Sequence, residues 1–220
     1  MANNTVQKAS ESISGRIFTT LREDLLKGQY PAGEKLSIAS LRDNYHVGLS
    51  PLREALSRLS AVGLLEQETQ RGFRVPKLTL EELQDIVELR VELEGMAIIR
   101  ALRFGDSNWE SEVLAAGHRL KSADKERVSL GEWELLHTQF HTTLLSSCRS
   151  SWMLKFICQL HEQFDRYRRK APQDQIVREN LDAQHEKLVA LALARDEVGI
   201  RQLLENHVRL SYELAVQSCT

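Results

Sequence analysis

Apolar side chains recur every three to four residues through most of the chain, which is the spacing that lines one face of an α-helix. In the first third this spacing predicts three helices: one that ends at Gly28, a second that begins after Ser37, and a third that begins after Ser50. The apolar face of the first helix is expected to carry Ile13, Ile17, Leu21 and Leu25. The segment "GQYPAGEKL" between the first two helices is predicted to be a turn.

The third helix has one apolar and one polar face. Ser50 is expected to cap it, with Pro51 at its first position, where a missing N–H costs nothing. The side chains that must face inward are Leu52, Ala55, Leu56 and Leu59. Arg53, Ser57 and Ser60 therefore point outward.

A hairpin with a polar tip is predicted to follow this helix. The segment "LLEQETQRGFRV" contains two short strand candidates around Arg71 and Gly72. Three helices and a hairpin within residues 13–76 are the plan of a winged helix-turn-helix. Its polar helix fits the major groove of DNA, while a basic tip lies over the neighbouring phosphates. On pattern alone, a small α+β domain in which Arg53 and Arg71 are only solvated remains open.

Beyond residue 77 the pattern is helical almost to the end. Short breaks divide residues 79–217 into six amphipathic segments, and short connections between helices of this length predict an antiparallel bundle. The sequence therefore predicts a mainly α protein. A winged helix-turn-helix domain in residues 1–77 is followed by an all-helical antiparallel bundle in residues 78–220.

The charges of residues 1–77 and residues 78–220 have opposite balances, which agrees with two domains of different character. The formal net charge is −2, yet residues 1–77 hold 11 Lys and Arg against 8 Asp and Glu, and residues 78–220 hold 18 against 23. A basic front part on an acidic rear part favours a nucleic-acid-binding module joined to another domain. Three cysteines form no disulfide framework, no apolar run is long enough for a membrane, and no secretory signal is found, so we expect a cytoplasmic protein.

Four histidines have a spacing that suits a metal site. His137 and His141 are four residues apart, so both rings leave one face of one helix. His185 precedes Asp196 by 11 residues and His207 follows it by 11, which places both at one height of an antiparallel helical hairpin. Four imidazoles suit zinc, nickel, copper or iron(II) better than calcium or magnesium. The alternative is that His137 and His141 face solvent and that the equal distances of His185 and His207 from the turn are a coincidence.

The series "GQYPAGEKL", "SPLREALSRLSAVGLL" and "RGFRV" resembles the DNA-binding domain of the GntR family of bacterial transcription regulators, over about residues 13–76. The resemblance implies a homodimer that binds double-stranded, palindromic operator DNA. It places Arg53 of the recognition helix at the DNA, Ser50 at a phosphate or base, and Arg71 and Gly72 at the wing tip. Two positions depart from the family pattern, which commonly has arginine at both.

Those two positions are Ala39, near the start of the second helix, and Leu49, just before the third helix. Because this chain departs from the family pattern at both positions, the operator sequence of better-known members cannot be transferred to it. DNA binding itself is still expected.

The rear part is similar to the FCD ligand-binding domain of the FadR-type branch of this family. The resemblance implies a helical bundle around an effector cavity, with a divalent metal ion held by an Asp, a His four residues later, and two more His on the last two helices. His141, His185 and His207 match that set, and His137 stands in place of the Asp, so a zinc or nickel ion on these four is expected. The remaining histidines, expected at the surface or in helix packing, are His46, His118 and His161.

Effectors of the family are commonly small carboxylic acids, and the motif "ELRVELE" suggests Arg90 as the residue that binds one. The alternative is a surface arginine paired with Glu94 at i+4. Most of the run "DRYRRK" is expected to be a solvated helix terminus, although Arg166 is a candidate to turn inward.

Together these features predict a one-component transcription regulator, a homodimeric repressor whose DNA affinity changes when a small carboxylic acid binds. A metal-dependent helical-bundle enzyme with an appended winged helix is one alternative. A winged helix that binds protein instead of DNA is another. No recognisable nucleophile motif is present, so we expect no enzymatic activity.

Overall fold

The computed structural model of the protein describes residues 12–68, 72–126, 128–171 and 175–219. Within it the chain divides into two compact units, Met1–Lys77 and Leu78–Thr220. None of the helices in these ranges combines the length and the apolar composition that crossing a membrane requires.

The first unit has the winged helix-turn-helix plan that the sequence predicts. Its helices are α1 (Ile13–Leu26), α2 (Ile38–Asn44) and α3 (Leu49–Ala61). Its strands are β1 (Lys35–Leu36), β2 (Glu66–Glu68) and β3 (Gly72–Arg74), which form an antiparallel sheet in the order β1-β3-β2. β1 was not predicted, because a strand of two residues is too short to show an alternating pattern.

The predicted inward faces of α1 and α3 form the core of this unit, with one exception. The inward side chains of α3, all 0% exposed, are Leu52, Ala55, Leu56 and Leu59. Ile17, Leu21 and Leu25 of α1 are buried against the same core. Ile13 is 52% exposed, because it is the first residue of α1 and lines a surface groove with Tyr45 instead.

α3 begins earlier than the sequence predicts. Its N-cap is Gly48, which makes no side-chain capping hydrogen bond, and its first residue is Leu49. The prediction that Ser50 is the N-cap is therefore wrong, and Pro51 is the third residue of the helix rather than the first. Pro51 is tolerated there because the N–H groups of the first turn have no partner within the helix.

The second unit contains six α-helices within the described ranges, which confirms the predicted bundle. They are α4 (Leu80–Phe104), α5 (Ser107–Glu126), α6 (Leu130–Leu145), α7 (Ser151–Arg168), α8 (Gln175–Leu193) and α9 (Glu197–Val216). Short 3-10 turns follow α6 and α9, at Ser146–Cys148 and Gln217–Cys219. α4 packs against α7 and α9, α5 packs against α6 and α8, and α8 packs against α9. This packing brings α6, α8 and α9, which carry the four histidines, to one side of α4.

Candidate metal centre and DNA-binding surface

The four histidines that were predicted to bind a metal lie together in the second unit. His137 and His141 come from α6, His185 from α8 and His207 from α9. One ligand nitrogen of each lies within 4.8 Å of those of the others. The ring centroids of His137 and His141 are 4.6 Å apart, and so are those of His185 and His207. The rings thus converge, and their binding of a metal stays a prediction.

The turn between α8 and α9 sets the heights of two of these rings. Asp196 is the N-cap of α9, and its side chain accepts a hydrogen bond from the backbone N–H of Gly199 at 2.9 Å. Arg195, one residue earlier, has a φ of 55°, which turns the chain sharply after α8. His185 and His207 are equally far from Asp196, so this tight turn brings them to the same level.

Buried ring nitrogens without partners indicate that the cluster suits a metal ion. In the described part of the chain, neither ring nitrogen of His141 and neither of His185 has a hydrogen-bond partner, although all four atoms are buried. A buried polar atom left without a partner costs about 1–3 kcal/mol. Coordination of a cation removes that cost for one nitrogen of each ring. Four convergent imidazoles are also the donor set that zinc and nickel accept.

A side chain of α8 orients one of the rings. Nδ1 of His207 lies 3.1 Å from Oε1 of Gln184. Because an amide oxygen only accepts hydrogen bonds, Nδ1 carries the proton and Nε2 is left as the ligand atom. Nδ1 of His185 lies 4.0 Å from a carboxylate oxygen of Asp182, which is too far for a hydrogen bond.

Burial determines the charge of the cluster. It lowers the pKa of His137, His141 and His207 well below the ordinary value, and neighbouring rings and arginines lower it further. It also lowers the pKa of His185 to about 3, with a smaller effect of Arg168. All four imidazoles are therefore neutral at pH 7, the form in which a histidine binds a metal.

Arg90 lies in a narrow cavity beside the cluster. It is 5% exposed, and the cavity of about 20 Å³ is also lined by His141, His161 and Arg168. Nε of Arg90 donates to Oε1 of Glu94 at 2.8 Å. Arg90 therefore forms an ion pair with Glu94 and also lines the cavity. Its two terminal nitrogens have no hydrogen-bond partner among the described residues, which leaves one edge of the guanidinium for a carboxylate.

Glu94 is the centre of a buried ionic chain that the sequence did not reveal. It accepts from Arg90 and lies 2.8 Å from Nε2 of His161, while its Oε2 has no partner within the described ranges. Burial alone would raise the pKa of Glu94, but Arg90 and His161 outweigh it and the pKa falls to about 2. His161 was expected at the surface or in helix packing, yet it lines the cavity. Glu94 and His161 are 67 residues apart, so no local pattern connects them.

The run "DRYRRK" is not the solvated terminus that the sequence predicts. Arg168 donates to Glu134 at 2.9 Å and to Asp165 at 2.7 Å, and the three side chains are largely buried. Tyr167 is 0% exposed and donates to Glu82, and Arg166 is 7% exposed. Lys170 is exposed, whereas Arg166, the candidate to turn inward, and Tyr167 are buried where α7 packs against α4. Arg168 is a second, largely buried cation at the cavity.

A more open groove of about 220 Å³ lies between α5 and α8, and His185 lines it as well. At the groove, Lys121 forms an ion pair with Glu186 at 2.6 Å. Lys121 is therefore already paired, whereas the two terminal nitrogens of Arg90 have no hydrogen-bond partner among the described residues.

The outward face of α3 carries the predicted DNA-contacting residues. Ser50 and Arg53 are exposed, and neither makes a hydrogen bond or ion pair with another described side chain. Glu54, the residue beside Arg53, accepts a hydrogen bond from the hydroxyl of Ser14 at 2.8 Å. That bond ties α3 to the start of α1 and leaves the side chains of the first turn exposed.

The wing presents an open backbone at Gly72. Its φ is +96°, which favours glycine, and nothing lies within 4 Å of the place of a Cβ. Arg71, the other residue predicted at the tip, lies outside the described residues. Arg74, which the sequence analysis did not single out, holds the wing in place by donating to Glu68 at 2.7 Å and to the carbonyl of Gly33 at 2.6 Å.

A winged helix followed by a helical bundle with a buried histidine cluster defines the class of the protein, a DNA-binding transcription regulator. The particular family follows from comparison with known proteins. Residues 13–75 match the model of the bacterial regulatory proteins of the gntR family, and residues 85–210 match the FCD domain. The chain belongs to the GntR family and has its FadR-type architecture, in which an FCD domain follows the DNA-binding domain.

Two bacterial proteins with similar sequences are transcription regulators. The uncharacterized HTH-type transcriptional regulator BphR of Paraburkholderia xenovorans is 34% identical over 205 residues, which are 91% of this chain and 84% of that protein. The HTH-type transcriptional repressor GlaR of Escherichia coli is 34% identical over 198 residues, 87% of this chain and 90% of that protein. The solved structure of E. coli McbR/YncC has the same fold, with a TM-score of 0.79, 23% identity, and coverage of 95% of this chain and 99% of that one. The expectation that the protein is not an enzyme is confirmed.

Proposed function

We propose that the protein is a homodimeric, one-component repressor whose affinity for operator DNA changes when a small carboxylic acid binds beside a metal ion. The observation that carries this proposal is the convergence of four neutral imidazoles next to a cavity lined by a buried arginine. The name of GlaR, a repressor 34% identical to this chain, supports repression rather than activation.

The metal ion is proposed to be zinc or nickel, held by His137, His141, His185 and His207. Nitrogen ligands suit these ions, whereas calcium and magnesium prefer oxygen. When bound, the ion offers a coordination position to an effector oxygen. Four neutral ligands leave its double positive charge uncompensated, unlike the set with one Asp that the family resemblance implies.

Three carboxylates near the site are already compensated by arginines. Glu94 is paired with Arg90, and Glu134 and Asp165 are together paired with Arg168 and Arg169. A metal ion on four imidazoles therefore favours an anion from outside the protein, because an uncompensated charge is costly in a buried site. A carboxylic acid meets this need and also fits the free edge of Arg90.

The cavity beside Arg90 is the proposed effector site rather than the groove between α5 and α8. Arg90 has two terminal nitrogens free for a carboxylate, whereas Lys121 of the groove is paired with Glu186. The cavity has space for about one water molecule, so an acid must displace side chains of α4 or α7 when it enters. That displacement gives the acid different affinities for two arrangements of the bundle, which is the requirement for allosteric control.

An apolar stripe on α4 and α7 is the proposed homodimer surface. Its exposed side chains are Leu89, Met96 and Phe104 of α4 and Trp152 and Phe156 of α7. The first three lie on one face of α4 at spacings of seven and eight residues, and the two α7 rings contact each other with centroids 6.1 Å apart. Trp152 is 67% exposed. Exposed apolar side chains on two neighbouring helices are typical of a protein–protein interface, and the same two helices line the effector cavity.

A thermal-shift screen of metal-analysed protein against small mono- and dicarboxylic acids tests the proposed effector site. A ligand that binds only the folded state at 100 times its Kd stabilises by about 2.7 kcal/mol, which corresponds to a rise in Tm of about 5–10 °C. We expect one equivalent of zinc or nickel per chain and a rise in Tm that disappears after chelation.

The matched variants for this screen are His185→Ala and His118→Ala. The first should lose both the metal and the acid-induced rise, while the second, which removes an exposed histidine, should keep them. Full metal content in His185→Ala would show that the cluster does not hold the ion. An acid response that survives both chelation and His185→Ala would place the effector elsewhere.

A further inference from the structure

Leu49 is an exposed leucine at the start of the recognition helix. It is the first residue of α3 and is 47% exposed, whereas the other leucines of this helix are 0% exposed. In helix-turn-helix proteins the N-terminal residues of this helix contact base edges in the major groove. Leu49 therefore stands where sequence-specific contacts are made.

Two other outward side chains of α3 contact α1. Glu54 accepts from Ser14, and the guanidinium of Arg58 lies 4.3 Å from the ring centroid of Phe18. Glu54 and Arg58 are four residues apart and lie on one face of α3, so both contacts join that face to α1. The residues of α3 that are exposed without such a contact, among the described residues, are Leu49, Ser50, Arg53, Ser57 and, at the far end of the helix, Ala61.

The chemistry of a leucine side chain limits what it can recognise. It neither donates nor accepts a hydrogen bond, so it contributes to specificity only by covering an apolar group. In the major groove the 5-methyl group of thymine is the apolar feature of the base edges, and apolar side chains contact it. An arginine at the same place would instead favour the O6 and N7 acceptors of guanine.

We propose that Leu49 is a specificity-determining residue that contacts the 5-methyl group of a thymine in each operator half-site. This inference rests on the proposed binding of operator DNA and adds a base preference to it. Ser50 and Arg53 then supply the polar contacts of the same turn, to phosphates or to neighbouring bases.

The experiment compares thymine with uracil, which differ in this methyl group alone. Binding sites are first selected from random double-stranded DNA with the full-length protein. Each thymine of the selected half-site is then replaced by uracil, one at a time, and Kd is measured. For the unmodified protein, one replacement should weaken binding about three- to fivefold, the effect of one buried methyl group.

Two variants assign the effect to Leu49. Leu49→Ala should bind the thymine and uracil sites equally, while Leu80→Ala, which truncates a 46% exposed leucine at the first position of α4, should keep the preference. A repeated selection with Leu49→Arg should replace the thymine by guanine.

The outcomes separate this inference from the proposed function. A site without any uracil-sensitive thymine, or a sensitivity that persists unchanged in Leu49→Ala, would overturn the role of Leu49 while leaving DNA binding intact. Failure to select any sequence would remove operator binding, and the inference with it.

Discussion

Single residues around the cavity show how burial changes the role of an ordinary ion pair. Arg90 and Glu94 are four residues apart, a spacing that on a helix surface contributes a few tenths of a kcal/mol. Here both are buried, with side-chain exposures of 7% and 0%. His161 contacts the same carboxylate oxygen. The pair is therefore a positioning device for Arg90 rather than a surface contact.

Glu94→Gln is expected to destabilise the protein strongly, because it removes the charge that compensates a buried guanidinium. Loss of one partner of a buried pair costs about 3–5 kcal/mol. The matched control on the same helix is Glu88→Gln, whose ion pair with Arg209 is exposed and contributes little to stability. Urea unfolding of both variants measures the difference. Equal losses would show that Arg90 does not depend on Glu94.

At the scale of elements, α4 and α7 combine two roles. Their inward faces carry Arg90, Glu94, His161 and Arg168 at the cavity, and their outward faces carry the apolar stripe. In the proposed mechanism, a change in the cavity is transmitted to the proposed dimer surface through these two helices. A coupling of about 1–3 kcal/mol is typical of allosteric proteins.

Trp152→Glu tests the stripe as a dimer interface. Placing a charge in an apolar interface removes hydrophobic burial and adds a desolvation cost, so the variant should be monomeric at micromolar concentration. Sedimentation measures this directly. The control is Leu135→Glu, which changes a 58% exposed leucine of α6 outside the stripe and should leave the association unchanged. A Trp152→Glu protein that associates like the unmodified one would place the interface elsewhere.

At the scale of the whole molecule, the neutral histidines tie stability to pH. In the metal-free protein, burial holds their pKa values below the ordinary 6.5, with that of His185 at about 3. Below pH 6.5 the unfolded chain therefore binds more protons than the folded one. The stabilisation is full above pH 6.5 and is lost as the pH falls towards the folded-state pKa.

The free energy of unfolding of the metal-free protein should fall by about 1.4 kcal/mol per pH unit for each such imidazole between pH 6.5 and 5. Urea unfolding at several pH values checks the slope. His185→Ala should reduce this slope by the contribution of one imidazole. His118→Gln should leave the slope unchanged, because His118 is exposed. A free energy of unfolding that does not change over this range would mean that the imidazoles are not neutral in the folded protein.

Much of the fold could be predicted from residues that are close in sequence. The helical spacing of apolar side chains located α1, α2 and the six helices of the bundle, because that periodicity is a local consequence of helix geometry. The start of α3 was misplaced because Ser50 is an ordinary N-cap by type, while the structure uses the backbone of Gly48. β1 was not predicted because its two residues form a strand only through pairing with β3.

The sequence by itself determined two domains, the winged helix, the bundle and the four histidines, because each depends on periodicity, on turn residues or on positions counted from one turn. Only the tertiary structure decided the environment of the cavity. Glu94 and His161 are 67 residues apart, and Glu134 and Arg168 are 34 apart, so their pairing depends on helix packing that no local pattern encodes. Burial follows from the same packing. Because of this burial, Arg90 and Arg168 form buried ion pairs, although the sequence alone is compatible with solvated side chains. Charged side chains enter a core only where other charged groups compensate them.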